Sequence, residues 1–127
     1  MSDTEQAPSP DTAWPVKLSF DRGEAELLIT FDDGFSSTIS FELLRVESPS
    51  AETKGHGGQR PPPPAGKRDV SVQGAEPIGR YAVRILFSDG HDTGLYSWTY
   101  LRDLAENQDA RMADYLERLK AAELSRD

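Results

Sequence analysis

From Val16 the chain alternates apolar and polar residues, with Val16, Leu18 and Phe20 set against Lys17, Ser19 and Asp21. That two-residue period is the pattern of a half-buried strand. Arg22-Gly23 supplies a turn, and Leu27, Ile29 and Phe31 continue the alternation in a second strand. Asp32-Asp33-Gly34 then offers the positive-φ residue of a tight hairpin, so a third strand is expected to return from Phe35 to Ile39. The Ser40 hydroxyl can accept the first unpaired amides of a short helix carrying Phe41, Leu43, Leu44 and Arg45. Pro49 ends that helix, because the residue before a proline is pushed out of helical space.

The second half repeats the same plan. Val70 and Val72 open a strand that Gly74 and Pro77 are expected to break, and Tyr81, Val83, Ile85 and Phe87 alternate with Ala82, Arg84 and Leu86. Asp89-Gly90 turns the chain, Leu95 and Tyr96 return it, and Ser97 can cap a helix from Trp98 to Glu106 with Trp98, Leu101, Leu104 and Ala105 along one side. A final helix is expected after Asn107, where Met112, Tyr115, Leu116 and Leu119 form an apolar stripe and Asp114 pairs with Arg118. Such a stripe docks on the sheet or engages a partner. Phe31, Asp33 and Gly34 recur as Phe87, Asp89 and Gly90 at a shift of 56, and Ser40, Phe41, Leu44 and Arg45 recur as Ser97, Trp98, Leu101 and Arg102 at a shift of 57. Duplication and a shared supersecondary pattern both account for this echo. The pattern predicts an α+β domain of two strand-turn-strand-helix units, with a largely antiparallel sheet of about five to six strands and two or three helices. Residues 1–13 read as a disordered acidic tail, 14–108 as the domain, 53–66 as a Gly/Pro-rich surface loop and 109–127 as the C-terminal helix.

Charge narrows the partners. A net charge of -8 opposes binding to phosphate backbones, so nucleic acid is not expected as a partner. The N-terminus lacks the basic start and apolar run of a signal peptide, and no stretch reaches the roughly eighteen apolar residues of a spanning helix. No membrane partner and a cytoplasmic location are therefore expected. The absence of cysteine removes disulfides and thiolate ligands and fits a reducing compartment.

His91 carries the candidate chemistry, because the second turn has a histidine where the first has Phe35. With Asp89, Gly90 and Asp92 beside it, the imidazole can serve as a base, a metal ligand or a hydrogen-bonding hub, or the acids simply bond turn amides. His56 lies between glycines in the loop, where it is either a ligand-facing or a mobile side chain. Lys54, Arg60, Lys67 and Arg68 make a local basic patch suited to an anion or an acidic partner. Tyr96, Trp98 and Tyr100 are either a recognition surface or core. A metal site of His56, His91 and Asp92 would make a small metal-dependent enzyme using zinc or iron. No nucleophile elbow, zinc-protease helix or phosphate loop is present, so a self-contained enzyme has little support.

The segments L-L-R-V-E-S-P-S-A-E at 43–52, G-H-G at 55–57, G-K-R-D-V at 66–70 and G-R-Y-A-V-R-I-L-F-S-D-G-H-D-T-G-L-Y-S-W-T-Y-L-R at 79–102 resemble the gamma-butyrobetaine hydroxylase-like N-terminal domain family. The resemblance covers residues 14–108. It implies a small stand-alone bacterial member without established activity. In related architectures the domain precedes an oxygenase or follows the ATPase of iron-sulfur scaffold proteins, which implies a protein partner and a setting in iron-sulfur or metal-protein maturation. In the hydroxylases the resemblance implies a zinc site of three cysteines and a histidine. The histidine matches His91, but the cysteine positions fall on Ser48, Ser50 and Thr53, and hydroxyls bind zinc poorly. The oxygenase iron triad is also missing. Together these features imply a non-catalytic binding module, its surface centred on Arg45, Ser48, Ser50, Glu52, Lys67, Arg68, Asp89 and Gly90. The alternatives are the metal-dependent enzyme and an interaction adaptor working through the C-terminal helix.

Overall fold

The computed structural model describes residues 14–49 and 63–127. Six strands and two helices run in order: β1 (Pro15–Asp21), β2 (Glu26–Phe31), β3 (Ser36–Ser40), α1 (Phe41–Val46), β4 (Val72–Ile78), β5 (Ala82–Phe87), β6 (Leu95–Ser97) and α2 (Trp98–Ala121). The α+β class agrees with the sequence pattern. The expected single sheet does not: the strands form two three-stranded antiparallel sheets, ordered β1-β2-β3 and β4-β5-β6. Helix α1 and residues 47–71 separate β3 from β4, and a register irregularity interrupts one outer strand of each sheet, between Pro15 and Lys17 in β1 and between Val72 and Gly74 in β4. Such bulges twist an edge out of line for further pairing. Arg22 occupies the space beside β4, donating from its guanidinium to the Val72 and Gln73 carbonyls at 2.9 Å each.

β4 also corrects the expected break at Gly74 and Pro77. It runs through both, pairing Gly74 with Leu86 and Pro77 with Val83. An outer strand tolerates a proline because its missing N–H can lie on the unpaired side.

Most apolar positions of the alternation meet in one core, but the expected inward face of β1 does not fully: Leu18 and Phe20 are partly buried and Val16 is exposed. Leu27, Ile29 and Phe31 from β2, Ile39 from β3, Phe41, Leu43 and Leu44 from α1, and Ile85 and Phe87 from β5 are all buried. Helix α2 covers this core with Leu101, Leu104, Tyr115 and Leu119, and Met112 packs against it. The stripe on the second half of α2 is therefore taken up inside the molecule, leaving Leu116 outside at 40% exposure. Tyr96 is fully buried, and Trp98 and Tyr100 pack against the same core. Ser40 and Ser97 cap their helices as their sequence positions suggest, each accepting at 3.0 Å from the amide three residues on.

Two expected helices after Ser97 are one helical run with a break at Asn107, whose backbone sits at φ -120 and ψ 20. Its side-chain amide donates to the Asp103 carbonyl at 3.0 Å and carboxylate at 2.7 Å, compensating the interrupted ladder. Gln108 then reaches β3, donating to the Thr38 carbonyl at 2.6 Å. No helix among the described residues is long and apolar enough to cross a membrane.

The echo in the sequence extends to the hydrogen bonds. In both hairpins the glycine lies at positive φ, 92° at Gly34 and 91° at Gly90, and donates back to the phenylalanine carbonyl three residues earlier. Each such turn is the three-residue type that needs a left-handed residue at that place. Asp33 accepts from the Phe35 amide at 3.1 Å, and Asp89 from the His91 amide at 3.0 Å. The first residues of both helices reach corresponding carbonyls, Phe41 to Ala25 and Trp98 to Tyr81, each at 2.9 Å. The helices are exchanged between the turns. Arg45 of α1 holds Asp89 of the second turn at 2.8 Å, and Arg102 of α2 holds Asp33 of the first at 3.1 Å.

Candidate functional site at the second turn

The second turn is built differently from its counterpart in one respect that opens it. Four residues separate Phe35 from Ser40, whereas five separate His91 from Ser97. The extra residue disrupts pairing: β2 and β3 match five residue pairs, and β5 and β6 only three, ending at Arg84 and Leu95. Gly94 lies in the opened stretch, where a Cβ would stand 2.4 Å from the Ser48 hydroxyl and 3.1 Å from the Tyr96 ring. Glycine is thus required by close approach rather than by turn geometry. The space admits Ser48, which is 3% exposed and shares a 2.8 Å hydrogen bond with His91 Nε2. Tyr96 closes the floor, its hydroxyl donating to the Leu44 carbonyl at 2.5 Å. Burial pushes that phenol well above its usual range, so it remains a donor at any ordinary pH.

Above this floor Asp89 is a hub. Its Oδ2 accepts from Arg45 Nε at 2.8 Å and from Lys67 Nζ at 2.6 Å, while its Oδ1 accepts from the His91 amide at 3.0 Å. Partial burial opposes ionisation of Asp89, but the Lys67 ammonium, the His91 amide and the Arg45 guanidinium outweigh it and hold its pKa at about 2. Asp89 is consequently a fixed anion, with two cations sharing one of its oxygens.

Lys67 is placed from the far end of the chain. The Gly66 and Arg68 amides donate to the Ser125 and Arg126 carbonyls at 2.9 and 3.0 Å, and Arg68 pairs with the Asp127 carboxylate at 2.5 Å. Arg126 in turn forks onto Glu42 of α1 at 2.8 and 2.6 Å, a carboxylate only 6% exposed. Tyr115 adds a 2.7 Å bond to the Pro64 carbonyl.

The site residues expected from sequence divide accordingly. Arg45, Ser48, Lys67, Asp89, Gly90 and His91 come together. Arg68 turns to the C-terminus instead. Asp92 is exposed, and its carbonyl accepts from Arg84 at 3.4 Å. Ser50, Glu52 and His56 lie outside the described residues, as do Thr53 and the 1–13 segment. Gly94 and the strap of residues 125–127 do not stand out as site residues in the sequence; the strap has no local signal, because its partners lie about half a chain or more away.

A resident zinc does not fit what is described. The Ser48 and His91 atoms bond directly at 2.8 Å, whereas two ligands of a tetrahedral zinc stand roughly 3.3 Å apart. Lys67 and Arg45 already neutralise Asp89 and would repel a divalent ion beside it. Among the described residues no group of three histidine or acidic side chains is arranged to hold a metal.

Comparison with known proteins agrees with this architecture. Two solution NMR structures match with TM-scores of 0.79, at 47% and 40% identity. The first alignment covers 94% of this chain and 89% of the other, and the second 91% of each. A crystal structure of a protein with unknown function of the DUF971 family, from Acidithiobacillus ferrooxidans, matches at 37% identity and TM-score 0.59, covering 72% of this chain and 91% of that one. No curated protein matches. The family model described as gamma-butyrobetaine hydroxylase-like, N-terminal, matches residues 18–102, which include both turns, both exchanged ion pairs and the Ser48–His91 bond. This chain belongs to that gamma-butyrobetaine hydroxylase-like N-terminal domain family.

Proposed function

We propose that the protein is a non-catalytic binding module whose recognition surface is the second turn with Arg45, Ser48 and Lys67. One observation carries this reading. Two turns of the same geometry serve one fold, and only the second replaces a packed aromatic ring by a hydrogen-bonded imidazole and a surplus of cationic donors. Folding does not require that exchange, since the first turn achieves the same geometry with phenylalanine. Recognition explains it. A protein partner in metal-protein maturation is the setting we favour, on the family resemblance alone. The enzyme alternative needs a nucleophile or metal in reach of substrate, whereas the buried Ser48 and the neutralised Asp89 support neither role.

The test is amide NMR of the labelled chain during titration with purified maturation proteins, zinc and ferrous ion. Shifts confined to residues 45–48, 67 and 89–94 on adding a protein are expected. A stoichiometric metal held at His91, or product formed from a substrate in the absence of a partner, would overturn the reading.

A further inference from the structure

We infer that the second turn binds a small oxyanion of the carboxylate or phosphate type, held by Lys67 and Arg45. This deepens the binding reading above and rests on it. The two turns differ in charge. At the first, Arg102 meets two carboxylates, Asp33 at 3.1 Å and Glu106 at 2.6 Å, so the cluster is negative. Its guanidinium carbon also lies over apolar rings, 4.1 Å from the Phe35 centroid and 5.0 Å from that of Phe31. The charge of that cation is more than balanced by its two carboxylates. At the second, Arg45 and Lys67 share a single carboxylate, so among the described residues the cluster carries one positive charge in excess, in a protein of net charge -8.

Donor capacity points the same way. A guanidinium carries five N–H groups and an ammonium three. The shared bond to Asp89 uses the Nε of Arg45 and one proton of Lys67, and the other oxygen of Asp89 accepts from the His91 amide. Both cations keep an accessible portion, with side chains 14% and 20% exposed. Arg45 and Lys67 are also held in place, the first on α1 and the second by the pairing of 66–68 with 125–127, so little side-chain freedom remains to be lost on binding. Oxyanions suit such a fixed pair of donors, since charge-assisted bonds to carboxylate or phosphate are short and strong. A cation is disfavoured by the same surplus.

The experiment is titration of the full chain with inorganic phosphate and, separately, with acetate, at constant ionic strength set by chloride and at pH 7. Saturable shifts are expected at the amides of 89–94 and at the Lys67 ammonium. The anion giving the tighter curve identifies the source. Lys67→Gln should weaken binding about tenfold, by loss of one charged donor, while Lys17→Gln, exposed on β1, leaves it unchanged. Lys67 stands on a loop and its replacement spares the core, so loss of binding is readable against an unchanged amide spectrum elsewhere. Absence of saturation with both anions, or equal weakening by Lys17→Gln, overturns the inference. If a protein partner still shifts 89–94 while both anions fail, the oxyanion is wrong and the binding module stands.

Discussion

The two hairpin turns make a natural controlled comparison. They share the glycine at positive φ, the aspartate that accepts an amide two residues on, and an arginine delivered from the other unit's helix. Even the ring contacts agree, since Phe31–Phe35 and Phe87–His91 both have centroids 6.1 Å apart and planes at 47°. The scaffold is therefore indifferent to whether phenylalanine or histidine comes after the glycine. What the side chain meets is different. Phe35 receives the face of Arg102, whereas His91 receives a buried serine through the gap that one extra residue and Gly94 create. The lesson is that the second turn carries its chemistry on the same turn geometry, with a shorter strand pairing beyond it.

The largest effect should be common to both units. Phe31→Ala and Phe87→Ala each remove a fully buried ring at the same place, and both are expected to cost about 3–5 kcal/mol in urea unfolding. Values differing by more than about 2 kcal/mol would break the equivalence of the units. Next comes Gly94→Ala, expected to cost about 1–3 kcal/mol because its methyl group collides with Ser48. A cost below about 0.5 kcal/mol would show that the niche is loose. Pairing it with Ser48→Gly should relieve much of the penalty, which a double-mutant cycle reads directly.

A smaller difference separates the two aspartates in acid. Asp89 has its folded pKa depressed to about 2, so its contribution is complete above its unfolded value and disappears as pH falls toward 2. After solvent screening about 1 kcal/mol is expected. Urea midpoints at about pH 4.5 and about pH 2.5 should therefore differ less in Asp89→Asn than in the parent chain. Asp33 is lowered chiefly by its hydrogen bond to Arg102 but is exposed, so Asp33→Asn should change the acid slope less. The reverse order would place the stronger electrostatic hub at the first turn.

Much of this arrangement is legible in the residues. Alternation marks the strands because period-two burial leaves a direct trace, and Ser40 and Ser97 announce their helices through cap chemistry. The strand β4 is hidden because Gly74 and Pro77 look like breakers locally, whereas their tolerance depends on the strand being at an edge. Division into two sheets is equally hidden, since pairing between β3 and β4 is a tertiary choice. At the site, Asp89, Gly90 and His91 stand out by contrast with the first turn, and Ser48 by family resemblance. Placement of Lys67 by residues 125–127 is not legible, because the Gly66–Ser125 and Glu42–Arg126 pairs join distant positions by geometry that no local pattern encodes.

The most direct measurement is exchange of the distinguishing residue, His91→Phe, with unfolding and titration on the same sample. If the second turn is a binding surface on a shared framework, the variant keeps its stability within about 1 kcal/mol, as a substitution already accepted at the first turn. It also loses or redirects the ligand-induced shifts at residues 89–94. A variant that loses more than about 3 kcal/mol while still binding as the parent does would contradict the account, making His91 a structural residue and not a recognition one.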